Sequence, residues 1–345
     1  METNRYYHDC LVNTDEKHHP QRDMTEGEMF VFLALMLQMG HTIQGRLEDY
    51  WMKLEQLSCA FYRQTMARSR FYHILRFLHF TDNNRTADSH DRLWKIRDLF
   101  EIYNPSEHLV VDEVIVKFKG RVIFKQYSPK KRKRFGIKLY KLCDSNSYTY
   151  DMDVYLGKDR QRATQHLTAT HVTVTNLTRR VGVGLKLYMD NFFSSPDLYV
   201  DLIQKKIYCC GTVRLNRWGM PKDLKHKTLR LKRGDIRVRT RGELTAVVWR
   251  DKTDVGMLTN IHDPPSEGNF RDEHGNAMKP AIVADYNHHM GYVDKADRMA
   301  NSYTASRRTW KCTKKLFFHL LDMAILNSYI LLSICGGKKI SHRDF

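Results

Sequence analysis

Hydrophobic positions along the chain change their period twice. Before residue 108 they recur at three- and four-residue intervals, the spacing of a helix with one buried face. Thr25-Glu-Gly-Glu28 has the form of a capping box, and Phe30, Phe32, Leu33, Leu35, Met36 and Leu37 carry that helix to Gly40. Three more helices are predicted over residues 46–57, 69–80 and 91–103; Phe71, Ile74, Leu75, Phe77 and Leu78 mark the core face of the second, and Leu93, Ile96, Leu99 and Phe100 that of the third. From Leu109 the pattern becomes that of strands: 109–121, 121–127, 136–142 and 148–156 form a predicted antiparallel meander. A helix over 167–180, a strand over 184–190, a helix from Pro196 through Ile203 and a strand over 207–215 follow. Between Asn216 and Pro280 short alternating runs (229–231, 236–238, 245–249 and 256–259) are separated by Gly, Pro, Asp and Asn turns, which predicts a small, basic, β-rich insertion. Residues 314–333 return to a strongly apolar helix.

One polar interruption stands out in this pattern. Leu109-Val-Val suits a strand covered on both faces, yet Asp112 and Glu113 follow directly. An ionised carboxylate in a covered strand is costly unless it has a partner. Asp112 is either a solvent-facing acid paired with Lys117 or Lys119, or a metal ligand. Asp190 ends a later strand, and Asp294 and Asp297 lie three residues apart on or beside a helix, so both can face one way. An acid on an early strand, one on a later strand and one on a helix is how a ribonuclease-H-like domain builds a two-metal site. Two divalent ions about 4 Å apart can activate an attacking oxygen and stabilise a leaving one. Hard oxygen ligands suit Mg²⁺ or Mn²⁺, and clustered carboxylates repel one another without a cation. Alternation along the strand sends Glu113 to the opposite face from Asp112.

Charge adds a partner to this picture. The 345-residue chain carries a net charge of +18, enough sequence for two or three domains and enough charge to favour a polyanion. Nucleic acid is the first such partner, an anionic membrane the competing one. No apolar window reaches bilayer-spanning length on this reading; the best, residues 29–39, has the length of a short core helix, and the N-terminus lacks a signal-peptide pattern. The seven cysteines include no C-x-x-C pair, which argues against a zinc module and a disulfide framework and for a reducing compartment. No zinc is expected. Pro129-Lys-Lys-Arg-Lys-Arg134 reads either as a nuclear-import signal or as a DNA-contacting turn built from Lys130, Lys131, Arg132, Lys133 and Arg134. Arg63, Arg68, Arg70 and Arg76, and the run Arg307, Arg308, Lys311, Lys314 and Lys315, suit either phosphate contacts or a solvated face. His288 and His289 read as surface or outer-shell residues rather than ligands.

Several segments together resemble the piggyBac transposases and their domesticated relatives. They are Val111-Asp-Glu-Val-Ile-Val-Lys-Phe-Lys-Gly-Arg121, Phe135-Gly-Ile-Lys-Leu-Tyr140, Met189-Asp-Asn-Phe-Phe-Ser-Ser-Pro196, Gly211-Thr-Val-Arg-Leu-Asn216 and Tyr286-Asn-His-His-Met-Gly-Tyr-Val-Asp-Lys-Ala-Asp-Arg-Met299. The resemblance implies an α/β fold: a ribonuclease-H-like catalytic core interrupted by a β-rich insertion and flanked by an α-helical dimerisation and DNA-binding domain. The implied boundaries are a helical region over 1–107 and 301–345, core over 108–216 and 281–300, and insertion over 217–280. It implies Asp112, Asp190 and Asp294 as metal-binding carboxylates, with Asp297 as a further catalytic acid. It also implies two Mg²⁺ (or Mn²⁺) ions, a homodimer acting in the nucleus on double-stranded DNA, and cut-and-paste transposition through hairpin ends at TTAA targets. Arg214, within one of these segments, joins the candidate DNA contacts. The alternative is a domesticated, catalytically weak or inactive DNA-binding protein. Two departures from the family pattern bear on it: Gly291-Tyr292 stands where two glycines are usual, and Cys312 where a Trp is frequent, with Trp310 two residues earlier. The cysteine-rich domain with which many members end has no counterpart in these residues.

Overall fold

A computed structural model describes residues 2–13, 21–54, 59–80, 103–129, 133–157, 167–225, 229–305, 309–336 and 340–345. The predicted helix over 91–103 falls almost wholly outside these residues. The chain divides into two compact units, one of residues 1–99, 299–325 and 340–345, the other of residues 100–298 and 326–339.

The first unit is helical. Helix α1 (Glu2–Asn13) was not expected, because few of its apolar side chains are buried. Polar side chains hold it instead: Thr3 Oγ1 donates to the carbonyl of His79 and accepts its N–H, at 3.1 and 3.2 Å, and Asn4 bonds both backbone groups of Met24 at 2.9 Å. Helix α2 (Glu26–His41) carries the predicted capping box between Thr25 and Glu28 and buries Phe32, Leu35, Met36 and Met39. Over the described residues 46–54 the helix predicted for 46–57 does not form. A single 3₁₀ turn, Leu47–Trp51, forms, and Tyr50 folds back so that its hydroxyl donates to the Thr42 carbonyl at 2.6 Å and accepts from Gln44 N–H at 3.1 Å. Helix α3 (Ala60–Thr65) and helix α4 (Arg68–Phe77) complete a core in which Phe71, Ile74 and Leu78 meet α2 residues, Tyr62, Ala305 and Phe318.

Arg70 is an internal brace. Its guanidinium grips both carboxylate oxygens of Glu28, at 3.1 and 2.8 Å, and donates to the carbonyls of Arg22 and Asp23. Arg70 holds the Glu28 carboxyl down at about 2, against an ordinary 4.5. A depressed carboxyl stabilises the fold above its unfolded pKa, and that contribution disappears as pH falls from 4.5 towards 2. Arg70→Met should therefore cost about 2 kcal/mol more at neutral pH, allowing for the solvent that reaches the pair, than near pH 2, where only the bonds to the Arg22 and Asp23 carbonyls remain to be lost. Urea denaturation of both proteins at several pH values checks this; an equal loss at all pH values would refute it.

The second unit is built on one mixed sheet. Its strands are β1 (His108–Lys117), β2 (Gln126–Tyr127), β3 (Phe135–Asp144), β4 (Thr149–Val154), β5 (Lys186–Met189), β6 (Tyr208–Thr212), β7 (Asp235–Arg241), β8 (Leu244–Arg250), β9 (Asp254–Thr259) and β10 (Gly268–Asn269), in the order β10-β7-β8-β9-β6-β5-β1-β3-β2, with β4 also on β3. The antiparallel β1–β3–β4 meander is as expected, but the strand predicted over 121–127 shrinks to its last two residues. Lys125 N–H turns back to the Val122 carbonyl at 3.3 Å, and Ile123 stays 87 % exposed. The parallel β5 and β6 follow across β1, an arrangement consistent with a ribonuclease-H-like core. The β-rich stretch after Asn216 continues this sheet, since β9 pairs antiparallel with β6. Residues 229–231 form no strand; Leu229 and Leu231 pack on the core instead.

Helices cover both faces. Helices α5 (Ala169–Leu177) and α6 (Pro196–Gln204) bury Val174, Leu177, Leu198 and Leu202 against Leu109, Val111, Leu187 and Met189. Pro196 takes the first turn of α6 behind the Ser195 cap, as its missing N–H allows. Helix α7 (Ala281–His289) packs against β1, β6 and β9 on the opposite face, and α8 (Tyr292–Ala300) follows it.

Helix α9 (Cys312–Ile334) corrects one expectation: its 23 residues are long and apolar enough to cross a membrane by length and composition. Its polar side chains are nevertheless paired within protein. In the first unit Asp322 accepts from Thr304 Oγ1 and Ala305 N–H at 2.5 and 2.8 Å. In the second, Asn327 bonds the N–H and carbonyl of Thr149 at 3.0 and 2.9 Å.

Candidate active site

Parallel pairing of β1 with β5 sets His108 opposite Lys186 and Val111 opposite Met189. Asp112 follows Val111 on β1, and Asp190 follows Met189, the last residue of β5, so both lie at the end of this pairing. Strand period decides their side of the sheet. Leu109, Val111, Leu187 and Met189 fill the core beneath α5 and α6, which sends Asp112 to the face that α7 covers.

Both carboxylates are anchored by their own backbone neighbourhood. Asp112 Oδ1 accepts from Glu113 N–H at 2.7 Å, and Asp190 Oδ1 accepts from Phe192 N–H at 3.0 Å. Burial, aided by the negative charge of Glu113, holds the Asp190 carboxyl above the usual carboxylate range. Glu113 itself is ion-paired with Lys138, whose ammonium lies 4.3 Å from the Phe192 ring centre and 5.0 Å from that of Tyr140. From α7, the Tyr286 hydroxyl reaches Thr212 Oγ1 at 3.4 Å. Burial first, then the charges of Asp190 and Asp112, push it up to about 12. A neutral phenol beside two carboxylates is a hydrogen-bond donor at all ordinary pH values. Its place in the segment Tyr286-Asn-His-His did not reveal that position.

Arg214 and Arg217 close the other side. Arg214 Nε donates to Asn191 Oδ1 at 3.3 Å, and Arg217 donates to the carbonyls of Asn191 and Phe192 at 2.9 and 2.7 Å. Burial and the nearby Arg214 charge lower the Arg217 pKa. Arg217 was not predicted; it pins the loop that carries Asp190, while Arg214 remains exposed. Trp218, next to Arg217, is 79 % exposed.

The other two predicted acids lie on α8. Asp294 is exposed in the first turn of α8, where a carboxylate also complements the helix dipole. Asp297, one turn on, pairs with Lys133 at 3.2 Å. Among the described residues, the set of three candidate ligand atoms lying mutually within 4.8 Å is Cys210, His262 and Asp285, so Asp112, Asp190 and Asp294 do not converge that closely. Repulsion among three carboxylates opposes such convergence without a cation. Asp112 and Asp190 nonetheless offer hard oxygen donors whose charges both reach the Tyr286 hydroxyl, in a partly buried setting, which fits a divalent ion of the Mg²⁺ or Mn²⁺ type.

Of the candidate DNA contacts, Arg134, Arg214 and Lys311 are exposed. Lys314 is not: its buried ammonium donates to the carbonyls of Leu75 and Arg76 and ties down the end of α4, which corrects its assignment to a phosphate-binding surface. Arg70, too, is committed internally to Glu28. Lys130, Lys131, Arg132, Arg307 and Arg308 lie outside the described residues. In the insertion Arg239 pairs with Asp223 and Glu267, Arg250 with Asp254 and Arg233 with Asp251, so part of its basic charge is locally matched.

Comparison with known proteins supplies the lineage. The family model described as "Transposase IS4" matches residues 1–329. The chain is 22 % identical to human PiggyBac transposable element-derived protein 5 over 94 % of its own length, and 26 % identical to human PiggyBac transposable element-derived protein 2 over 97 %. It spans 66 % and 58 % of those two proteins, less than two thirds of each. Among solved structures, a piggyBac transposase in a synaptic complex with hairpin DNA superimposes with a TM-score of 0.83 and 28 % identity, covering 99 % of this chain and 74 % of that one. A family match over nearly the whole chain and a structural match of this extent place the chain in this transposase family, in its piggyBac branch.

Proposed function

We infer that the protein is a divalent-metal-dependent DNA transposase that cleaves and joins strands at TTAA targets through hairpin ends. The observation that carries this reading is that Asp112 and Asp190 each directly follow the last pair, Val111 and Met189, of the parallel β1–β5 register. The likeness to a transposase structure that contains hairpin DNA supports it. Asp112 and Asp190 would hold the metal, with Asp294 and Asp297 of α8 as the further acids; Mg²⁺ or Mn²⁺ ions there would supply charge neutralisation at the scissile phosphate and a more acidic attacking water.

The chain's own residues do the rest. Phe192 N–H and the Arg217 contacts keep the Asp190 loop in one position. Tyr286 offers its hydroxyl proton to a carboxylate or phosphate oxygen. Arg214 stands exposed beside Asn191, in place to meet the DNA backbone, and Trp218 presents an aromatic face on which an unpaired base can stack. Incubation of the protein with Mn²⁺ and duplex DNA carrying its own element's ends tests the reading: it expects nicks at the element boundary. Tight DNA binding with no cleavage under either metal would instead identify a domesticated DNA-binding protein.

DNA affinity should fall as salt rises, because Lys and Arg displace condensed counterions. Arg214→Ala should weaken duplex binding alike across sequences and lower the salt slope by about 1. Anisotropy titrations over a range of salt check this, and an unchanged slope would remove Arg214 from the DNA surface. We further propose that the protein acts in the nucleus as a homodimer. Imaging a fluorescent fusion in which residues 130–134 are replaced by Ser, and sedimentation of the purified chain, test the two parts separately.

A further inference from the structure

On the α7-covered face of the sheet lies a second group of metal-ligating side chains, distinct from the aspartates. Cys210 of β6, His262 just beyond β9 and Asp285 of α7 bring their Sγ, ring nitrogen and carboxylate oxygen within 4.8 Å of one another. Three distant parts of the chain thus converge on one point, which is why no cysteine spacing announces it.

Each candidate ligand has a second partner that orients it. His262 Nε2 faces Asp285 Oδ2 at 3.1 Å, while its Nδ1 meets Thr259 Oγ1 at 3.1 Å. A threonine hydroxyl both donates and accepts, so Thr259 Oγ1 can accept a hydrogen bond from Nδ1–H and leave Nε2 free as a ligand. The Asp285 carboxylate receives the Tyr188 hydroxyl at 2.9 Å on Oδ2 and has His289 Nδ1 at 3.2 Å from Oδ1. His289 also donates to the Asp285 carbonyl at 2.8 Å, and its ring stacks against His108 and Tyr188 with ring centres 4.2 and 4.3 Å away. This second layer of carboxylate, hydroxyl and carbonyl partners is what metal-binding imidazoles and carboxylates ordinarily have. Cys210 is fully buried, which removes it as a nucleophile towards any substrate but leaves it open to a small ion. His262 and Asp285 keep 20 % and 28 % of their side chains exposed, giving that ion a way in.

We propose that Cys210, His262 and Asp285 bind one borderline-soft divalent ion of the zinc class. The donors decide the class. A sulfur and an imidazole nitrogen select Zn²⁺ or Co²⁺ over Mg²⁺, and three protein ligands leave a fourth position for water. The site ties β6 and the end of β9 to α7, whose chain continues through Met290 and Gly291 into α8 and Asp294. Its role is to fix α7 against the sheet, and the ion enters no step of strand cleavage. The earlier expectation of a zinc-free chain rested on the absence of paired cysteines, a signature that such a site does not need.

The test uses the full chain, stripped with a chelator and titrated with Co²⁺ alone. The expected result is thiolate-to-cobalt charge-transfer absorption that saturates at one equivalent, is displaced by Zn²⁺ and is unaffected by excess Mg²⁺. Cys210→Ser should abolish the band, whereas Cys209→Ser, whose side chain lies in the core beneath α6, should retain it. His262→Gln, a partly exposed position, should weaken Co²⁺ binding at least tenfold and carries the test if Cys210→Ser does not fold. No thiolate band in excess Co²⁺, a band that survives Cys210→Ser, unchanged affinity in His262→Gln, or displacement by Mg²⁺ would each overturn the assignment. Because the readout is a thiolate signal, failure here leaves the Asp112–Asp190 reading intact.

Discussion

Asp190→Asn should reduce Mn²⁺-dependent nicking of element-end DNA by about a hundredfold or more, the scale on which a lost electrostatic contact at the reacting centre is felt. The substitution keeps shape and keeps an acceptor for Phe192 N–H, which now lies 3.0 Å from Asp190 Oδ1, so the loop should hold its position. What it removes is a negative charge that is partly buried and sits near Glu113. In metal-free buffer that charge costs stability, so the variant should melt slightly higher than wild type, about 2–4 °C for each kcal/mol relieved. Wild type should gain stability when Mn²⁺ is added, by mass action on the folded state, and the variant should gain much less. The two readouts therefore move in opposite directions: higher melting temperature, lower activity. A variant that nicks as wild type does would take Asp190 out of catalysis. One that loses activity together with its metal-free stability would show only a misfolded loop.

The sequence made some of this site legible and hid the rest, for physical reasons. Asp112 was visible because it breaks an otherwise apolar run, and a charge in a covered strand demands a reason. Asp190 was visible because a strand pattern stops at it. Their shared place at the end of one strand pairing was not visible, since register between β1 and β5 is a property of pairing across more than seventy residues of chain. Tyr286 and Arg217 act through where a hydroxyl and a guanidinium point, which no spacing encodes. Lys314 shows the converse error: in a basic run it looks like a phosphate contact, yet its ammonium is turned inward to two carbonyls at the end of α4. Helix α1 escaped because hydrogen bonds from Thr3 and Asn4 hold it in place of an apolar stripe. The opposite happened at residues 46–54, where helical spacing was overridden by one aromatic hydroxyl: Tyr50 closes on Thr42, and the segment leaves the helical path after a single 3₁₀ turn. The capping box of α2, the core face of α4 and the Ser-Pro start of α6 were read correctly because each rests on contacts within a few residues.

Gly211→Ala should be among the most damaging single methyls in the second unit. Gly211 lies in β6 opposite Met189, the residue before Asp190. A Cβ at this position would run into the Met189 carbonyl, well inside van der Waals contact, and would come within 2.7 Å of both Ser194 Oγ and Tyr199 Oη. Neither hydroxyl can step aside cheaply. Ser194 Oγ donates to the Asp190 carbonyl at 3.0 Å and bonds Tyr199 Oη at 3.2 Å, and both side chains are fully buried. The methyl therefore either pushes β5 away from β6 or breaks the polar network that fixes the start of the Asp190 loop. Overpacking of this kind costs about 1–3 kcal/mol, and an orphaned buried hydroxyl adds about 1–3 kcal/mol. A loss near the upper end of that sum should appear in urea denaturation, with Gly182→Ala, where nothing lies within 4 Å, staying within about 0.5 kcal/mol of wild type. Because the displaced atoms lead directly into Asp190, the surviving folded Gly211→Ala protein should also need more Mn²⁺ to reach half-maximal nicking. A neutral Gly211→Ala would mean that β5 and β6 are not packed as tightly as their register demands, and the placing of Asp112 and Asp190 at the end of one pairing would then lose its support.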